Sequence, residues 1–159
     1  AKNEDLLEKL VIVDMGTKEY PMHHDHILEG INAVTLDNVS ARSEAEKQME
    51  PFIESEGIKQ FLLKNLYWKE KGQLSWRMNV QVLEREMAKI LGSFQADEIL
   101  TPTLFIRGAM SNYILDEDIS ALELQFPDIE METIEKAGHW VHAEAPNEFL
   151  EALLGFCLR

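Results

Sequence analysis

The sequence predicts an α/β protein interrupted by a long helical block. Three observations carry that prediction. Three short runs, the apolar Leu10–Val13 and Pro102–Gly108 and the alternating Met131–Ile134, have the length and β-branched content of strands. Segments with helical spacing of apolar residues separate them, and strand–helix alternation is the order of an α/β sheet. The third run leads into Lys136-Ala137-Gly138-His139, a Gly turn carrying a histidine, just before an amphipathic closing stretch.

Leu10-Val11-Ile12-Val13 is apolar throughout and stops at Asp14-Met15-Gly16. Such a run reads as a strand buried on both faces, with neighbours on both sides. Residues 17 to about 35 are mixed, with Tyr20-Pro21, then His23-His24-Asp25-His26, then Ile27, Leu28 and Ile31 at helical spacing. From Leu36 to about Leu91 the pattern is helical. Ser40 or Ser43 is placed to cap one helix, and Glu46 follows Ser43 by the three residues of a capping box. Ile58, Phe61, Leu62 and Leu66 form one stripe, and Trp76, Val80, Leu83, Met87 and Ile90 form another, ended by Gly92. This block is too long for a simple crossover and reads as an inserted helical cap over residues 20–91, with residues 1–19 and 92–159 forming the core.

The second strand ends in Gly108. Asp116 or Asp118 can begin the next helix, which carries Ile119, Leu122 and Phe126 and stops at Pro127. Met131-Glu132-Thr133-Ile134 alternates as a third strand, and Asn147–Leu158 is the closing helix. Three strands make a poor α/β domain by themselves. An unpaired edge on the first would be an aggregation hazard, so further strands are expected upstream. The absence of an initiator Met agrees with a start upstream of Ala1.

Composition narrows the function. The chain has 159 residues, 45% of them hydrophobic, enough to bury a core. A formal net charge of -14 argues against nonspecific attraction to nucleic acid or anionic lipid, both polyanions. No apolar run approaches the roughly 20 residues of a membrane span. The polar start, Asn3-Glu4-Asp5, has no signal-peptide core. Cys157 is the only cysteine and is expected to be buried. One thiol makes no internal disulfide, which fits a reducing, cytoplasmic setting.

Several residues are candidates for chemistry. His139 is either a structural imidazole or a proton-transfer group, whose titration range suits neutral pH. Asp14 is either a cap at a loop start or a carboxylate at the edge where ligands bind in open α/β sheets. Asp116, Glu117 and Asp118 compete with it as acids, although negative charge in a helix's first turn explains them. His142 and Glu144 can pair or cap the closing helix. His23, His24 and His26 with Asp25 offer metal donors, but consecutive residues do not converge from one helix face, and no second Cys/His cluster follows. They are expected to border a substrate path in the cap. Phe61, Trp68, Trp76, Met78 and Met87 are expected to pack the cap, with a few facing a pocket. No Gly-x-Ser-x-Gly nucleophile turn occurs.

Leu6–Asp14, Thr101–Gly108 and Ala137–Pro146 together resemble the C-terminal part of α/β-hydrolase-fold esterases, nearest to the YbfF-type carboxylesterases and thioesterases. The Gly-His-Trp-x-His-x-Glu-x-Pro text is the specific part. In that superfamily the triad runs Ser, acid, His along the chain. The resemblance implies His139 as base, Asp14 as the orienting acid and Ser111 as an auxiliary hydrogen-bond partner. Ser111 stands where many members carry their acid, three residues after Gly108. The nucleophilic Ser and much of the oxyanion hole would lie upstream of Ala1. The implied substrate is a small acyl ester or thioester, with no cofactor and no metal. The implied partner is the N-terminal part of the same enzyme, joined covalently or as a separate chain. The alternative is a non-catalytic half-domain that binds or assembles with such a chain. The 159 residues alone are expected to be inactive.

Overall fold

The computed structural model describes residues 3–22, 24–94 and 97–159. His23, one of the histidines weighed above, lies outside the described residues. The chain forms two compact units, residues 1–18 with 93–159, and residues 19–92.

The first unit is built on a parallel sheet in the order β1-β4-β5, with β1 at Leu10–Val13, β4 at Thr103–Gly108 and β5 at Ile129–Ile134. The α/β class expected from the sequence is the class observed. β1 runs in register with β4 from Leu10↔Thr103 to Val13↔Ile106, and β4 with β5 from Thr103↔Ile129 to Gly108↔Ile134. The side-chain period of two separates the strand residues into two cores. Leu104, Ile106, Val11, Val13 and Ile134 pack with Val141, Phe149 and Phe156 from α6 (Val141–Glu144) and α7 (Pro146–Cys157). Phe105, Leu10, Ile12, Ile129 and Met131 pack with Leu122 of α5 (Asp116–Gln125) and with Phe126. Phe105 and Phe126 meet edge to face, 5.0 Å between centroids at 77°, the arrangement that ring quadrupoles favour.

β4 is central and nearly all buried, and β5 alternates as its sequence predicts. β1 departs from expectation. All four of its residues are half-buried. Among the described residues it has one ladder neighbour, β4, so its second edge and part of both faces lack cover. Its start is fixed by Lys9, whose Nζ donates to the carbonyls of Phe156 and Arg159, each at 2.8 Å. A cation at these carbonyls complements the C-terminal end of the α7 dipole. Cys157, expected to be buried, is exposed, because it falls on the last turn of α7 away from the apolar stripe.

The second unit contains α1 (Asp25–Ala33), α2 (Arg42–Met49), α3 (Glu56–Leu63), β2 (Leu66–Glu70), β3 (Gln73–Trp76) and α4 (Val80–Ile90). Its core joins Ile31, Val39, Met49, Ile53, Leu62, Leu66 and Leu74. The block expected to be wholly helical therefore contains an antiparallel hairpin. Leu66 and Trp76, assigned from spacing to helical stripes, are paired across it. The turn at Lys71-Gly72 supplies the reason, since Gly72 has φ +81°, a conformation that L side chains rarely adopt. Helix starts also differ from the reading of Ser43 and Glu46. Arg42–Met49 begins after Ala41, and Glu44 takes the backbone N–H of Ser40 at 2.7 Å. Ser55 and Asn79 cap α3 and α4 through the N–H groups of Ile58 and Val82. Phe61 and Trp68 are about half exposed, whereas Trp76 and Met78 pack on the core. No helix among the described residues is long and apolar enough to cross a membrane.

Candidate active site

The site lies where β1, β4 and β5 end. Parallel strands in register bring their C-terminal residues to one edge, so Asp14 after β1, Ser111 after β4 and His139 after β5 come together there. Asp14 follows Val13 with φ +46°, and its N–H still reaches the carbonyl of Ile106 at 2.7 Å. Left-handed backbone costs an L residue about 1 kcal/mol, least for Asn and Asp. The turn swings the carboxylate over the end of β4, where it is 0% exposed.

A buried carboxylate needs donors, and Asp14 has three. The backbone N–H of Gly108 donates to Oδ1 at 3.1 Å. Ser111 donates its hydroxyl to Oδ2. His139 Nδ1 lies 2.8 Å from the same Oδ2. All three residues singled out from the sequence are thus in one hydrogen-bonded cluster. Two of the competing acids have other partners. Asp116 pairs with Arg107 at 2.6 Å, and Asp118 holds Lys18 and the N–H of Leu115. Among the described residues no cluster of His, Cys, Asp and Glu could hold a metal ion.

Three features were not read from the sequence. Gly108 is where β4 passes the histidine loop. A Cβ there would lie 2.2 Å from the Gly138 carbonyl oxygen and 2.4 Å from that of Ala137, closer than any real contact. Tyr113 stacks on the His139 ring, with centroids 3.8 Å apart and planes at 12°. Its place two residues after Ser111 carries no periodic signal. Glu144, read as a partner for His142 or a cap for the closing helix, instead accepts the N–H of Gly138 at 2.8 Å and of Trp140 at 3.2 Å. The short α6 turns the chain back far enough for that reach. His142 packs edge-on against Phe149.

This geometry has a definite chemical capacity. With Nδ1–H donated to Asp14, the lone pair of His139 is on Nε2. The ring is 42% exposed by its side chain, while its acid is sealed off. A sealed carboxylate fixes the tautomer and stabilises the imidazolium formed when Nε2 takes a proton.

The chain is similar to proteins named as lipases and esterases. A mouse (Mus musculus) protein called sn-1-specific diacylglycerol lipase ABHD11 is 34% identical over 160 residues, covering 96% of this chain and 52% of its own length. Esterase YbfF of Escherichia coli (strain K12) is 37% identical over 150 residues, covering 94% of this chain and 57% of its own. The solved structure of a marine microorganism esterase matches with a TM-score of 0.91 at 31% identity, over 98% of this chain and 62% of that one. E-2-(acetamidomethylene)succinate hydrolase matches at 0.67 with 16% identity, over 99% of this chain and 60% of that one, a likeness of fold. The chain spans about half the length of the curated relatives it matches. No family model matches it.

Proposed function

Because this chain belongs to the α/β-hydrolase family, we propose that it supplies the base and the acid of a serine carboxylester or thioester hydrolase. The observation that carries the reading is the Asp14–His139 hydrogen bond at the C-terminal edge of a parallel sheet. In the proposed reaction, a serine outside these residues attacks the acyl carbonyl. Its hydroxyl proton passes to His139 Nε2 as the Oγ–C bond forms and the carbonyl oxygen becomes an oxyanion. Backbone N–H groups near that serine hold the oxyanion. Collapse breaks the bond to the leaving oxygen or sulfur, which takes the proton from His139. Water then repeats the sequence on the acyl-enzyme and releases the acid. Asp14 orients the ring through Nδ1, and Ser111 donates to the same Oδ2. The names of the relatives, lipase and esterase, support an oxygen ester as substrate. We propose that residues 20–91 serve as the cap of the enzyme.

The N-terminal part of the same enzyme is the proposed partner, covalent or separate. Two features support it. Among the described residues β1 pairs on one edge only, with β4. Beside it lies an apolar hollow of about 300 Å³ lined by Leu7, Leu10, Ile12, Met15, Phe94 and Phe126. The exposed lone thiol of Cys157 supports a reducing compartment such as the cytoplasm.

The test begins with the coding sequence upstream of Ala1. An in-frame Gly-x-Ser-x-Gly about two dozen residues before Asp14 is expected from the family's triad order. The longer product should hydrolyse p-nitrophenyl acetate with saturation, and a serine-directed phosphonate and His139→Ala should each abolish this. Wild-type rates in His139→Ala would overturn the reading. Assembly without turnover would favour the non-catalytic half-domain.

A further inference from the structure

Asp14 fixes the ring of His139, but a ring is only as well placed as the backbone that carries it. That backbone is a loop between β5 and α6, and its own fastening comes from a second acid. Glu144 accepts the N–H groups of Gly138 and Trp140, the residues on either side of His139, one with each carboxylate oxygen. Both bonds go to a carboxylate, at 2.8 and 3.2 Å, and a charged acceptor makes such bonds stronger than neutral ones. The opposite side of the same loop is held by β4. Met110 donates to the Ala137 carbonyl at 3.0 Å, and Gly108 is packed against the carbonyls of Ala137 and Gly138. Gly138 is itself in close quarters, since a Cβ there would meet Glu144 Oε2 at 3.3 Å.

We propose that Glu144 is a positioning residue for His139. It clamps the two peptides that flank the base, so that Nδ1 stays on Asp14 and Nε2 stays aimed at the reacting proton. The statement about aim rests on the hydrolase reading above. The statement about the loop does not. The carboxylate is exposed and therefore reachable by substitution without opening the core. Gln retains one acceptor oxygen and Ala none, which orders the variants.

Two measurements test the proposal and separate its failure from that of the hydrolase reading. The first is independent of catalysis. In the 159-residue chain labelled uniformly with ¹⁵N, the wild type should show His139 as a single Nδ1–H tautomer. Amide exchange at Gly138 and Trp140 should be slow. Glu144→Ala should accelerate exchange at those two amides by about tenfold or more, leave Ile106 in β4 unchanged, and mix the tautomers of His139. Glu144→Gln should fall between. Unchanged exchange and tautomer in Glu144→Ala overturn the proposal, and so does a wild type without the Nδ1 proton signal. If Glu144→Ala unfolds, Glu144→Gln decides by the same two readings. The second measurement uses the longer enzyme. Glu144→Ala should lower kcat about tenfold with KM held, and Glu144→Gln should recover part of the loss. An equal loss in both variants, or a change confined to KM, overturns the positioning role. A wild-type enzyme without esterase activity strikes the hydrolase reading, while the labelled chain still decides the loop.

Discussion

Asp14 Oδ2 and His139 Nδ1 lie 2.8 Å apart, although 125 positions separate them in the sequence. Two parallel ladders make that contact, because the same sheet edge ends all three strands. The pairing gives the first prediction. In the complete enzyme, Asp14→Asn should lower kcat by on the order of 10⁴, the loss expected when a triad acid is replaced by its amide. Ser111→Ala should cost much less, since a neutral hydroxyl does not stabilise an imidazolium as a carboxylate does. Steady-state kinetics of both variants on one ester are the check. Equal losses would remove Asp14 from its assigned role.

The 159-residue chain by itself should show no esterase activity, because it contains no Gly-x-Ser-x-Gly turn. Incubation with p-nitrophenyl acetate should give the rate of free imidazole at the same concentration. Saturable turnover, blocked by a phosphonate, would mean that a hydroxyl within these residues acts as nucleophile.

Gly108→Ala should disrupt the site without replacing a charged side chain. Its methyl would need the space of the Gly138 and Ala137 carbonyl oxygens, both of them backbone, so the loop must move. A lower Tm, by an amount corresponding to about 1–3 kcal/mol, is expected from overpacking. The Asp14–His139 hydrogen bond should weaken with it. A melting curve and His139 tautomer matching wild type would contradict this.

Gly72→Ala isolates a different effect. A Cβ at this hairpin turn meets nothing within 4 Å, so sterics with neighbours are absent, but φ is +81°. The expected loss is about 1 kcal/mol from backbone strain alone. Gly108→Ala and Gly72→Ala should add in the double variant, since the two positions share no partner.

Much of this was legible in the sequence, and the misses have physical causes. The strands read at Pro102–Gly108 and Met131–Ile134, observed at Thr103–Gly108 and Ile129–Ile134, were readable because burial on both faces, or alternation on one, leaves a pattern. The placement of Asp14 and His139 followed from strand ends in a parallel sheet. The hairpin at Leu66–Trp76 was missed because its strands are four or five residues long. Leu66 and Trp76 also fit a helical stripe, and only Gly72 between them argued otherwise. Glu144 was visible as a residue of the histidine motif, but its partners are backbone N–H groups, which no side-chain pattern announces. The edge position of β1 was hidden for a different reason. An apolar run states what a strand needs around it, not whether these residues provide it.

The insertion of residues 19–92 between β1 and β4 has a kinetic consequence. Leu10 must find Thr103, and closing so long a loop is entropically slow. Yet Tyr20 donates its N–H to the carbonyl of Leu91 at 2.8 Å, and Phe94 to that of Thr17 at 2.8 Å. Once residues 19–92 have folded, their two ends are tied together, and the span left to close shrinks to about a quarter of its length. Two halvings of a loop lower its closure cost by about 1.2 kcal/mol, close to a tenfold gain in rate. The insert also leaves the ribosome complete before β4 does. It can thus act first as an independent nucleus and then as the staple that hands β1 to its partner.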